Sequence, residues 1–144
     1  MRTALTIAGS DSIGGAGLQA DIKAMGSLGV HATCVVTAVT AQTTCEVSDI
    51  YPMPLELIEA QFDTIIRDCE IHAVKTGMLY SPEITKFIAE KLEYHKKPLI
   101  VDPVLIAGVG GSLADDGLTD AVKKYLMPLC DLITPNKYEA EVLS

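Results

Sequence analysis

The sequence carries no Walker A signature. The glycines at 14, 15 and 17 are not followed by Lys-Ser or Lys-Thr, and they do not fit the dinucleotide pattern G-x-G-x-x-G either. Neither standard phosphate fingerprint therefore explains them. Positive charge is also scarce: 11 Lys and Arg face 19 Asp and Glu, for a net charge of -8. Nucleic acid and anionic membrane surfaces need a basic patch to displace counterions, so both are poor partners for this chain. The four cysteines, Cys34, Cys45, Cys69 and Cys130, form no C-x-x-C pair and have no histidine at zinc-ligand spacing, which reads as reduced core thiols. His31, His72 and His95 are scattered and carry no site. No window approaches the ~20 apolar residues of a membrane span, and the apolar run at Ala4 to Ala8 is too short for a secretory signal. Repeats and low-complexity tracts are lacking. The expectation is a cytoplasmic protein of one domain, with a small-molecule partner.

What is present is a regular alternation of short apolar runs and helical periods. Residues 3 to 8 read as a buried strand, and Leu18, Ile22, Met25 and Leu28 recur at helical spacing before Gly29. Between them lies Gly9-Ser10-Asp11-Ser12-Ile13-Gly14-Gly15-Ala16-Gly17. Its glycines allow either a tight turn or a close approach of backbone amides to a ligand at a helix N-terminus.

Residues 32 to 40 are rich in β-branched side chains, as a strand covered on both faces would be, and 47 to 51 form a weaker strand. Leu55, Ile58, Phe62, Ile65 and Cys69 keep the 3.6 period of a helix introduced by Pro52 and Pro54. Strand 72 to 75 leads into Thr76-Gly77-Met78. Ser81 and Pro82 make an N-cap and first-turn pair for a helix with Ile84, Phe87, Ile88 and Leu92 inside. Strand 98 to 101 stops at Asp102-Pro103. Asp115 or Asp116 would cap a helix closed by Pro128, 129 to 134 form a last strand, and Glu139 to Leu143 open another helix.

This order calls for an α/β fold: three layers, with a mostly parallel, doubly wound sheet between helices. Ligands of such sheets bind beyond the carboxyl ends of the strands. There the polar residues gather: Ser10 and Asp11, Gln42, Lys75 and Thr76, Asp102, and Asn136 with Glu139.

Taken together, Ala8 to Ser12 with Gly14 to Asp21, Thr37 to Gln42, Val74 to Leu79, Val101 to Val104, and Thr134 to Asn136 running on through Glu139 to Glu141 resemble the hydroxymethylpyrimidine and phosphomethylpyrimidine kinases of thiamine biosynthesis, within the ribokinase-like superfamily. The resemblance implies ATP-dependent phosphorylation of a pyrimidine hydroxymethyl group and then of the monophosphate. By position, Asp21 and Gln42 would contact the hydroxyl and the ring's polar edge, and Gly9, Met78 and Val104 would wall the flat ring. Asn136 and Glu139 match the superfamily's N-x-x-E element. Glu139 with Asp102 would hold Mg²⁺, Asn136 would lie on the phosphate side, and Lys75 would either offset phosphate charge or pair with a carboxylate.

Two departures from the pattern are Ile13, where the family has a small residue, and Gly108-Val109-Gly110, where it often carries a lysine or threonine. No Gly-Thr-Gly anion hole and no catalytic base can be matched in the sequence. The expectation is therefore residues 1–144 as the N-terminal portion of a single ribokinase-like domain, with no catalytic residue of its own, those groups lying beyond Ser144. Homodimerisation through exposed sheet edge is expected with it. Two alternatives stand beside this reading: a pyridoxal or pyridoxine kinase, which also phosphorylates a hydroxymethyl on a flat ring, and a non-catalytic heterocycle-binding or interaction module.

Overall fold

A computed structural model describes residues 1–107, 111–112 and 117–144. The elements run β1 (Thr3–Asp11), α1 (Gly17–Ser27), β2 (His31–Gln42), β3 (Val47–Pro52), α2 (Leu55–Asp68), β4 (Ala73–Thr76), α3 (Pro82–His95), β5 (Leu99–Val101), β6 (Ile106–Ala107), β7 (Gly111–Ser112), α4 (Leu118–Ala121), β8 (Leu132–Ile133) and α5 (Lys137–Leu143). Six strands form one sheet in the order β3-β2-β1-β4-β5-β8, and β6 with β7 forms a separate antiparallel ribbon. Every neighbouring pair in the large sheet is parallel except β2 with β3, the outer edge.

The predicted α/β architecture is thus realised, and the two sheet faces are covered unequally. Leu5 and Ile7 of β1, Val74 of β4, and Leu99 and Val101 of β5 join Ile58 and Phe62 of α2 and Ile84, Ile88 and Leu92 of α3 in one buried cluster. Lys91 of α3 ties that layer together by reaching Glu59 at 2.8 Å and Asp63 at 3.0 Å on α2. The opposite face carries α1. Its expected apolar stripe is buried only at Leu18, while Ile22 is 39% and Leu28 80% exposed. Helical spacing places those residues on one side but cannot supply a surface to bury them against. Strand β2 is likewise covered less than its composition suggests, with Val39 exposed.

Local chemistry accounts for the element ends. Ser81 caps α3 by accepting from the Ile84 amide at 3.2 Å, with Pro82 in the first turn as expected. Gly29, at φ +71°, follows the end of α1. Beyond the end of β3, the Gln61 amide of α2 takes the place of a strand, accepting from Val36 N at 2.9 Å and donating to Val36 O at 3.2 Å.

The C-terminal third departs from expectation. Asp115 and Asp116 lie outside the described residues, and the first described position there, Gly117, is the N-cap of α4. Pro128 does not simply close the helix: α4 runs on through a π-helical turn, Val122–Leu126, into the 3-10 turn Met127–Leu129 that holds this proline. Cys130 N bonds back to Leu126 O at 3.1 Å, so the strand expected from 129 starts only at Leu132. The cysteines are free, as expected, but none is a fully buried core thiol, and Cys45 is exposed. Burial pushes the Cys34 thiol up from its ordinary range.

Candidate functional site

From β1 the chain moves through α1 to β2 on one side, then returns to place β4, β5 and β8 on the other. The direction of winding reverses between β1 and β4, the place where open α/β sheets leave a crevice at their carboxyl ends. A cavity of about 250 Å³ opens there. Gly9, Asp21, Gln42, Lys75, Met78, Asp102 and Val104 all line it, although they come from five separate stretches of the chain.

The charged side of the cavity is a three-membered chain. Asp21, on α1, accepts from Thr6 Oγ1 at 2.6 Å and from Lys75 Nζ at 3.0 Å. Lys75 also lies 3.2 Å from Asp102 Oδ2 at the end of β5. Of the two roles open to Lys75 from sequence, pairing with carboxylates is the one this geometry displays. The triple carries a net negative charge, and Asp102 is its most exposed member.

The apolar side is formed by Met78 over Gly9. The Met78 methyl occupies the space that a Cβ on residue 9 would need, so a side chain there would have to displace the end of Met78. Val104 and Ile50 complete that side, and Gln42 lies at the polar margin with Oε1 3.4 Å from Thr40 Oγ1.

The glycine turn has a different occupant from any ligand. Asp11 is buried, and its carboxylate accepts from the amides of Ile13 at 3.0 Å, Gly15 at 2.9 Å and Ala16 at 2.8 Å. These donors belong to the turn that leads into α1, so the protein's own anion occupies the amides of the turn, while α1 itself has no side-chain cap. Gly14 at φ +76° and Gly17 at φ +57° permit the turn, and a Cβ on Gly17 would collide with Gly9 O. Ile13 points to solvent and does not disturb it. Asp11 was visible in sequence only as one of several polar strand-end residues. The signal for its structural role was its place four residues ahead of Gly15, within side-chain reach of the turn's amides.

Asn136 and Glu139 are not brought to this cavity. They form a reciprocal capping box on α5: Asn136 Oδ1 accepts from Glu139 N at 2.9 Å, and Glu139 Oε2 accepts from Asn136 N at 2.9 Å. Glu139 Oε1 lies 3.4 Å from the Leu105 amide, and the residue is 4% exposed. Both its oxygens face backbone donors. Of the two expected Mg²⁺ ligands only Asp102 keeps accessible oxygen, and among the described residues no group of three His, Cys, Asp or Glu side chains could hold a metal. The described residues do not by themselves make a metal site. The Gly108-Val109-Gly110 departure lies outside the described residues. Among the described residues no helix is long and apolar enough to cross a membrane.

Comparison with known proteins agrees with this layout. The chain is 46% identical over 147 residues to the hydroxymethylpyrimidine/phosphomethylpyrimidine kinase of Haemophilus influenzae, covering all of this chain and 54% of that protein. It is 46% identical to the corresponding Bacillus subtilis kinase, over 98% of this chain and 52% of the relative. It therefore spans about half the length of these curated relatives. Among solved structures, a phosphomethylpyrimidine kinase from Clostridium difficile 630 superposes with a TM-score of 0.93 at 41% identity, over 100% of this chain and 63% of that one. The pyridoxal kinase from Staphylococcus aureus in complex with pyridoxal superposes at 0.90 with 37% identity, over 100% and 53% respectively. The sheet and its helices thus follow the ribokinase-like kinase fold. The phosphomethylpyrimidine kinase family model matches residues 11–144, and the chain belongs to that family.

Proposed function

We propose that this chain forms the acceptor-binding portion of an ATP-dependent kinase that phosphorylates 4-amino-5-hydroxymethyl-2-methylpyrimidine and its monophosphate in thiamine biosynthesis. The observation that carries this reading is the cavity's two-sided character. A cavity of about 250 Å³ with Met78 and Val104 among its apolar lining suits one flat six-membered ring, and Asp21, Gln42, Lys75 and Asp102 offer donors and acceptors at its edge. In this reading Gly9, Met78 and Val104 pack on the ring, Gln42 binds an exocyclic or ring nitrogen, and Asp21, held by Thr6 and Lys75, orients the hydroxymethyl group. Lys75 and Asp102 face the side from which the donor phosphate arrives.

ATP as donor is supported by the Staphylococcus aureus pyridoxal kinase, solved with AMP-PCP and with ADP. Magnesium entering with ATP would meet Asp102, not Glu139. The chain is read as the N-terminal portion of one kinase domain, cytoplasmic and homodimeric, with the base and anion hole for phosphoryl transfer outside residues 1–144. A second reading, pyridoxal as acceptor, is favoured by the pyridoxal-bound neighbour. The presence of Met78 and Gln42 in the slot tilts the choice to the pyrimidine.

Calorimetric titration of the hydroxymethylpyrimidine and of pyridoxal into the protein, with a coupled phosphorylation assay alongside, tests this. Expected are pyrimidine binding tighter than pyridoxal, loss of binding in Met78→Ala, and no turnover by the chain alone. Tighter pyridoxal binding reverses the substrate, robust turnover overturns the placement of the base elsewhere, and binding to neither ring removes the reading.

A further inference from the structure

Three unusual backbone features converge on Met78 although they arise from different strands. The first is a bulge: β1 and β2 pair Ala8 with Val36 and then Ser10 with Val39, so Thr37 and Ala38 together oppose Gly9. Bulges of this kind re-aim side chains next to functional sites. Thr37 and Ala38 are both completely buried. The second is the use made of that bulge. Thr37 Oγ1 donates to Met78 O at 2.7 Å, and Thr37 O accepts from Met53 N at 2.8 Å, which fixes β2 to the loop after β4 and to the entry of α2. The third lies two residues beyond Met78. Tyr80 has φ +72°, and Ser81 N bonds to Leu79 O at 2.9 Å, the pattern of a γ-turn with a positive central φ, which is rare and strained for a non-glycine residue.

A methionine is flexible at three torsions and by itself walls a pocket poorly. Here its carbonyl is tied by Thr37, the chain behind it is locked by the Tyr80 turn, and its methyl is seated on Gly9.

We propose that Thr37, which does not line the cavity, is a positioning residue: its hydroxyl, aimed by the bulge, holds Met78 at one height over Gly9 and so sets which flat rings the slot accepts. The ring-binding half of this proposal rests on the function proposed above, whereas the seating of Met78 does not.

The test combines methionine-methyl NMR with calorimetry. In the wild-type protein a nuclear Overhauser contact between the Met78 methyl and the Gly9 α-protons is expected, and its absence overturns the proposal. In Thr37→Val that contact is expected to weaken with a shifted or broadened methyl signal, and pyrimidine affinity to fall roughly tenfold, with the preference over pyridoxal narrowing. Thr37→Ser should restore both. A Thr37→Val protein that melts earlier but keeps the contact, the affinity and the ring preference overturns the proposal, because its hydroxyl would then be structural only. If Thr37→Val does not fold, Thr37→Ala removes the hydroxyl without adding a methyl and carries the same expectations. Wild-type protein that binds neither ring refutes the function, while the methyl spectra still decide the seating of Met78.

Discussion

The two faces of the sheet follow opposite rules. Toward α2 and α3, strand positions such as Leu5, Ile7, Val74 and Val101 are apolar, fully covered and packed against Ile58, Phe62 and Ile88. Toward α1, the positions one residue along the same strands are Thr6 and Lys75, joined to Asp21. Because side chains alternate across a strand, each short strand contributes to both faces at once. One face buys stability through apolar burial, and the other holds a polar arrangement beside an open cavity. The lesson is that the functional side can be polar and incompletely covered because the other side is not.

The sharpest way to break this contrast is on the apolar face. Phe62→Ala removes the largest fully buried side chain and is expected to cost about 3–5 kcal/mol in a denaturant titration. If the faces are as distinct as described, a partly stabilised Phe62→Leu protein should keep the wild-type affinity for the pyrimidine.

On the polar face, Lys75→Met leaves Asp21 and Asp102 without their shared cation. The Asp21 and Lys75 side chains are 16% and 20% exposed, so the pair lies partly out of water. The expected cost is about 1–3 kcal/mol of stability, with pyrimidine binding lost by calorimetry. A variant that keeps its affinity would show that the triple is only structural.

Glu139→Ala probes the region beside the crevice, where a residue expected to hold Mg²⁺ takes part in the capping box of α5. It leaves the Asn136 and Leu105 amides without their carboxylate acceptor and should cost about 1–2 kcal/mol by thermal or urea unfolding. Glu139→Gln, which keeps one acceptor oxygen, should cost less.

The smallest effect is expected at the outer surface of the apolar layer. The hydrogen bond to Glu59, with further help from Asp63, holds the Lys91 ammonium above the ordinary lysine range. A raised folded-state pKa adds stability that is complete below the unfolded value of 10.5 and fades as pH rises through the folded one. Lys91→Met should therefore lower stability by about 0.5–1 kcal/mol at neutral pH and low salt. Its difference from wild type should shrink above pH 10.5 in pH-resolved unfolding curves.

Much of this was legible in the residues. The alternation of strands and helices, the stop at Asp102-Pro103 and the cap at Ser81 follow from local rules that act within a few residues, and the structure repeats them. Gln42, Lys75 and Asp102 were marked by their positions at strand ends, Gly9, Asp21, Met78 and Val104 only by the family resemblance, and all of them line one cavity. Three things were not legible. Asp11 fills the glycine turn through amides that only the folded turn aims at it. Glu139 turns toward the amides of Asn136 and Leu105, which sequence does not show, because a capping box and a metal ligand look alike there. Ile22 and Leu28 stay exposed because periodicity specifies a face and not what lies opposite it.

The sequence by itself determined the α/β class and the order of the main elements, since hydrophobic period, proline, glycine and caps are local properties, and its resemblance to a family marked the side chains able to line a site. Only the tertiary structure decided how those side chains are used: that Lys75 is held between two carboxylates, that Glu139 accepts from backbone donors, and that Thr37, at a bulge, donates to Met78 O. Hydrogen bonds and ion pairs between distant segments depend on ångström distances that the fold alone sets, so residue type states what a group can do and its neighbours state what it does.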